Sequence, residues 1–112
     1  MKRGDVFDAQ LNPSKASEQG GLRPVIVVSR DAINDTSPVI IILPVTSAAN
    51  IKKHYPNNVL LAAGEGGLTV DSIALGGQIR AISTTRLLRQ RGTLSSAAMR
   101  HIERALRITL DL

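Results

Sequence analysis

The chain has 112 residues, a formal charge of +5 at pH 7, and neither cysteine nor tryptophan. That length suits one compact domain spanning residues 1–112 and excludes two of ordinary size. The lack of cysteine excludes disulfides and thiolate metal sites, and a single Phe and a single Tyr exclude an aromatic platform for stacking bases.

The longest apolar runs, Val25 to Val28 and Val39 to Val45, are strand-sized and far short of a membrane span. No apolar stretch of signal-peptide length follows Met1. The expectation is a soluble, cytoplasmic protein. Arginine supplies more of the positive charge than lysine. Its rigid fork matches phosphate and carboxylate, so the balance leans toward nucleic acid or an acidic partner.

Asp5 to Leu11 alternates apolar and polar residues, which predicts a half-buried strand ended by Asn12-Pro13-Ser14. A polar, glycine-rich loop, Lys15 to Gly21, follows. It delivers Arg23 to the start of a second strand, Arg23 to Ser29, where Pro24 is tolerable because a strand's first residues can forgo a ladder donor. Arg30 to Asn34 reads as a connector of about one helical turn. Val39 to Val45 reads as a third strand, and Pro44 argues for an edge or a strand end. A basic loop, Asn50 to Pro56, precedes a short strand at Asn58 to Ala62. Two more follow at Ser72 to Leu75 and Gln78 to Ile82, with Gly76-Gly77 as a bend or bulge between them.

The tail changes character. Ser83 to Leu88 reads as a short hydroxyl-capped helix, and Ser95 as the N-cap of a final helix running to about Thr109. In that helix Ala98, Ile102, Ala105, Leu106 and Leu110 recur at helical spacing, while Glu103 stands four before Arg107 as a supporting pair. Five or six short strands followed by a helix predict a mainly β (α+β) fold. Its form is a small, strongly curved sheet or partial barrel closed by the C-terminal helix.

The chemistry narrows by exclusion. His54 and His101 are far apart and neither has a second candidate ligand at helical or strand spacing, so no metal site is expected. The glycine clusters lack the residues of a phosphate-binding loop, and no nucleophile elbow is present. Arg23, Thr46 and Glu18 remain. Thr46 stands at the polar end of one strand and Arg23 at the start of another. If the two strands are antiparallel neighbours, both residues meet on one rim with the Glu18 loop above them. An arginine to neutralise phosphate oxygens, a hydroxyl to hold one, and a carboxylate to take a proton suit phosphoryl chemistry. Spacing alone equally allows a surface arginine at the end of a hairpin turn.

Several motifs in collinear order sharpen this. Arg3-Gly4-Asp5-Val6, Leu11-Asn12-Pro13, Ser17-Glu18-Gln19-Gly20, Arg23-Pro24-Val25-Ile26-Val27-Val28-Ser29, Pro44-Val45-Thr46-Ser47, Asp71-Ser72 and Gln78-Ile79-Arg80 together resemble the MazF/PemK toxin family. The resemblance runs from Lys2 to the last helix. It implies an SH3-like barrel with a C-terminal helix, and a ribosome-independent endoribonuclease that cuts single-stranded RNA without a metal or other cofactor. It implies Arg23 and Thr46 as catalytic residues, with Glu18 as the loop carboxylate. Asn12, Gln19, Ser47, Gln78 and Arg80 are implied to lie along the RNA. A homodimer and a cognate antitoxin with an acidic, partly disordered tail are implied as partners. The sequence departs from the family's usual residues at Gln10, Gly77, Ala81 and Ser83, which bears on sequence preference more than on the Arg23 and Thr46 positions.

Two rival functions stand beside this one. A gyrase-binding toxin of the same fold acts through C-terminal residues that include a tryptophan, which this chain lacks. A catalytically silent RNA-binding domain is the other.

Overall fold

Val25 to Val28 is apolar without interruption because that strand is buried on both faces. In the computed structural model, which describes residues 1–112, Ile26 and Val28 join one core while Val25 and Val27 join another on the opposite face. The neighbouring strand behaves alike, with Leu43 and Val45 in the first core and Ile40 and Ile42 in the second.

The elements in order are β1 (Asp5–Gln10), β2 (Leu22–Val27), α1 (Asp31–Thr36), β3 (Val39–Ser47), β4 (Asn58–Leu61), β5 (Ser72–Leu75), β6 (Arg80–Ser83), β7 (Leu87–Thr93) and α2 (Ser96–Leu110). Single 3-10 turns intervene at Ala48–Asn50, Glu65–Gly67, Gly76–Gln78 and Thr84–Arg86. The strands run in the order β4-β5-β3-β2-β1-β7, with β6 paired to β3 off that path. Every pairing is antiparallel. This is the mainly β architecture with a C-terminal helix that the strand count predicts. No helix is long and apolar enough to cross a membrane.

β3 is the hub. Its first half, Val39 to Ile42, pairs with β6 and its last residues, Val45 to Ser47, pair with β5. Pro44 therefore lies inside a central strand rather than at an edge, contrary to the expectation from sequence, and the topology shows why it fits. Ile41 accepts the Val28 amide at 3.0 Å. In the antiparallel alternation, that turns the nitrogen of Pro44 away from β2. It points to the other side, where β6 pairing has stopped and β5 pairing has not begun. No ladder donor is missed.

The sheet has seven strands rather than five or six because β7 has no apolar pattern to announce it. Its Arg89-Gln90-Arg91-Gly92 segment is held to β1 by backbone pairing and by Asp8. The short helix expected over Ser83 to Leu88 is a single 3-10 turn, in which Ser83 Oγ accepts the Thr85 amide at 3.3 Å. The chain then enters β7 directly.

α2 begins as its cap residue dictates. Ser95 Oγ accepts the Ala98 amide at 3.1 Å. Ala98, Ile102 and Ala105 are buried against the first core, while Leu110 at the helix end is exposed. Glu103 does not serve Arg107. Its carboxylate receives Arg3 Nη1 at 3.0 Å, fastening the N-terminal segment to the helix.

Candidate active site

The pairing of β2 with β3 sets Val25 opposite Pro44, Ile26 opposite Leu43 and Val27 opposite Ile42. Carried on along both strands, that register places Arg23 against Thr46. Arg23 Nη1 donates to Thr46 Oγ1 at 3.4 Å, and Arg23 Nε donates to the Gly20 carbonyl at 2.7 Å. The rim contact anticipated from two strand ends is thus present. Thr46 is only 4% exposed. Its oxygen also accepts Asn50 Nδ2 at 3.1 Å. Because both contacts use that oxygen as acceptor, the hydroxyl proton has no protein acceptor and is available to a ligand.

Asn50 reaches Thr46 through local structure. Ser47 Oγ accepts the Ala49 amide at 3.3 Å and caps the 3-10 turn that carries Asn50 back over the strand end. Ser47 therefore supports the pair it follows.

The loop between β1 and β2 is built around its side chains. Asn12 Oδ1 accepts the Gly21 amide at 2.9 Å. Gly20 packs on Ser14 Oγ and Asn12 Oδ1, and a Cβ there would force those two side chains to shift. From the far side, the turn Gly76–Gln78 presents Gln78, whose Oε1 accepts the Gln19 amide at 2.8 Å and whose Nε2 donates to the Ser17 carbonyl at 3.2 Å. Gln19 Oε1 is buried with no partner, an acceptor left open.

Arg23, Thr46 and Ser47 line one cleft of about 250 Å³. Glu18, Gln78 and Arg80 line a second hollow of about 440 Å³. Glu18 Oε1 accepts the Lys15 amide at 2.6 Å, a bond within its own loop, and forms none with Arg23 or Thr46. Asn12 and Gln19 stand in the loop that joins the two regions. No group of three histidine or carboxylate side chains suited to a metal occurs in the chain.

Asn50, Thr69 and Arg91 also line the first cleft and were not found from sequence. Asn50 carried a weak signal, standing one 3-10 turn past Thr46. Arg91 carried none, since the strand that holds it was not foreseen.

The family model of the PemK-like, MazF-like toxin of type II toxin–antitoxin systems matches residues 2–110. The chain belongs to this family. Among its MazF relatives it is 44% identical to the endoribonuclease MazF9 of Mycobacterium tuberculosis, covering 100% of this chain and 98% of that one. It is 38% identical to the endoribonuclease MazF of Staphylococcus saprophyticus, covering 100% and 92%. Among solved structures, MazF of Deinococcus radiodurans superposes with a TM-score of 0.84 at 26% identity over 100% of this chain and 97% of that one. The MazE–MazF complex of the same organism gives 0.78 at 25% identity, covering 100% and 96%. The SH3-like MazF fold implied by the motifs is the fold of this chain.

Proposed function

We propose that the protein is an endoribonuclease toxin that cuts single-stranded RNA at short sequences, with Arg23 and Thr46 as its catalytic pair. The observation that carries this reading is the contact between Arg23 and Thr46 at the rim of one cleft, 3.4 Å apart. The MazF relatives named as endoribonucleases support it.

The nucleophile is in the substrate. The ribose 2′-oxygen attacks the adjacent phosphorus, the bond from phosphorus to the 5′-oxygen breaks, and a 2′,3′-cyclic phosphate and a 5′-OH result. Such a step asks the protein for proton movement and charge stabilisation. Arg23 Nη2 makes no hydrogen bond within the protein and is free for a phosphate oxygen, while Arg23 Nε stays tied to Gly20. The Thr46 hydroxyl, whose proton has no partner within the protein, donates a hydrogen bond to a second phosphate oxygen. Glu18, exposed and two residues along the loop from Gly20, takes the proton of the 2′-OH, and the departing 5′-oxygen takes its proton from solvent water. Along the strand, Gln78 and Arg80 in the second hollow, Ser47 in the first cleft, and Asn12 and Gln19 in the loop between them make the remaining contacts to the RNA.

Residues 1–112 act as one domain, which assembles as a homodimer in the cytoplasm. A cognate antitoxin blocks the site; a relative, MazF of D. radiodurans, has been solved together with MazE. The charge of +5 suits an acidic, partly disordered antitoxin tail.

The test is incubation of the purified protein with a long mixed-sequence RNA in EDTA, followed by mapping of 5′-OH ends. Reproducible cuts at one short motif are expected. An uncut RNA that the protein nevertheless binds would overturn the reading in favour of a silent binding domain.

A further inference from the structure

Arg91 is the second cation of the cleft that holds Arg23 and Thr46. Its Nε donates to Asp8 Oδ1 at 2.6 Å, and neither Nη makes a hydrogen bond within the protein. The ion pair therefore fixes the base of the guanidinium and leaves its outer fork open. Asp8 is not dependent on Arg91 alone, because its Oδ2 also meets Arg89 Nη2 at 3.4 Å. Arg89 is 74% exposed at its side chain, whereas Arg91 is 22% exposed. One arginine thus lies in solvent and the other is built into the cleft.

The backbone beneath Arg91 is equally fixed. Gly67, at φ +76°, lies flat on the Arg91 carbonyl where no Cβ would fit, and Gly66 packs on Gly92. No aspartate or glutamate lines the cleft, so two guanidinium groups share it with no carboxylate in its walls. A rigid, partly desolvated arginine with a free fork matches the paired oxygens of a phosphate.

We infer that Arg91 anchors a backbone phosphate of the RNA strand next to the scissile one, holding the strand so that Arg23 and Thr46 meet the reacting phosphorus. This rests on the RNA-cleaving role proposed for the cleft. Arg91 is a positioning residue and touches no reacting atom. It acts on binding and leaves the chemical step to the other two.

Binding is measured on a mixed-sequence 2′-O-methyl RNA, which cannot be cut, so the result does not depend on cleavage. Arg91→Ala is expected to weaken binding about tenfold. It should also lower the magnitude of the slope of log K against log salt by about 0.7, the share of one single-strand phosphate contact. On cleavable RNA, KM rises by about the same tenfold factor while kcat changes less than about twofold. Arg91→Lys restores part of the binding, and thermal melts of each variant show whether the fold is kept. With one flanking phosphate made a neutral methylphosphonate, wild type and Arg91→Ala become equal. An unchanged salt slope in folded Arg91→Ala, or a defect that persists at every neutralised phosphate, overturns the inference. Weakened binding with the expected slope, in a protein that cuts nothing, supports the phosphate anchor and defeats the proposed nuclease.

Discussion

Gln78 and Gln19 join two loops that are remote in sequence. Gln78 Oε1 receives the Gln19 amide at 2.8 Å, and its Nε2 reaches the Ser17 carbonyl at 3.2 Å, so one side chain grips both sides of Glu18. The same loop supplies the Gly20 carbonyl that holds Arg23. The order of the loop is therefore coupled to the placement of Arg23.

Gln78→Ala releases that grip. The Gln19 amide is expected to exchange its hydrogen faster, and limited proteolysis to cut between Lys15 and Gly21 sooner. Cleavage efficiency should fall about tenfold, as for loss of more than one hydrogen bond. Unchanged exchange at Gln19 would show that the loop is held by Asn12 and Gly20 instead.

Asn50→Ala removes one of the two donors on Thr46 Oγ1 and leaves the Arg23 contact in place. A single net hydrogen bond is worth about 1 kcal/mol, roughly fivefold in rate. The loss should appear in kcat, because Asn50 orients the hydroxyl. Single-turnover kinetics at saturating RNA read it directly, and a change confined to KM would place Asn50 on the substrate.

Asp31, at the start of α1, accepts the Arg3 amide on Oδ1 at 2.7 Å. That bond first, with the nearby Lys2 charge, holds its carboxyl below the usual carboxylate range despite a smaller opposing effect of desolvation. A carboxyl depressed in the folded state stabilises above the unfolded pKa and loses that contribution as pH falls through the folded value. Asp31→Asn should therefore lower the melting temperature at neutral pH. The difference from wild type should close in strong acid, and thermal melts across the acid range check it.

Ser95→Ala deletes the α2 cap, at about 1 kcal/mol. In a chain of this size that lowers the melting temperature by about 4 °C. Ser95→Asp, which keeps an acceptor for the Ala98 amide, should recover most of it.

Legibility in the sequence followed the physics of each element. Val25 to Val28 and Val39 to Val45 were readable because burial on both faces forces continuous apolar runs. Ser95 was readable because capping is a local bond. β7 was not, since Arg89, Gln90 and Arg91 are held there by β1 and by Asp8, partners some eighty residues away in sequence. Pro44 misled for a related reason: its tolerance depends on where two other strands stop and start on β3. Within the site, Arg23 and Thr46 were legible as the ends of two strong strands. Asn50 and Arg91 reach the cleft only through a capped turn and a long-range pairing.

The most direct test of the account is single-turnover RNA cleavage in EDTA by wild type, Arg23→Ala, Thr46→Ala and the double variant. Each single change is expected to slow cleavage about a hundredfold, as for loss of a transition-state donor. The double variant should be little slower than the worse single one, because the two residues act together on one phosphate. Cleavage at the wild-type rate by either folded single variant would contradict the assignment.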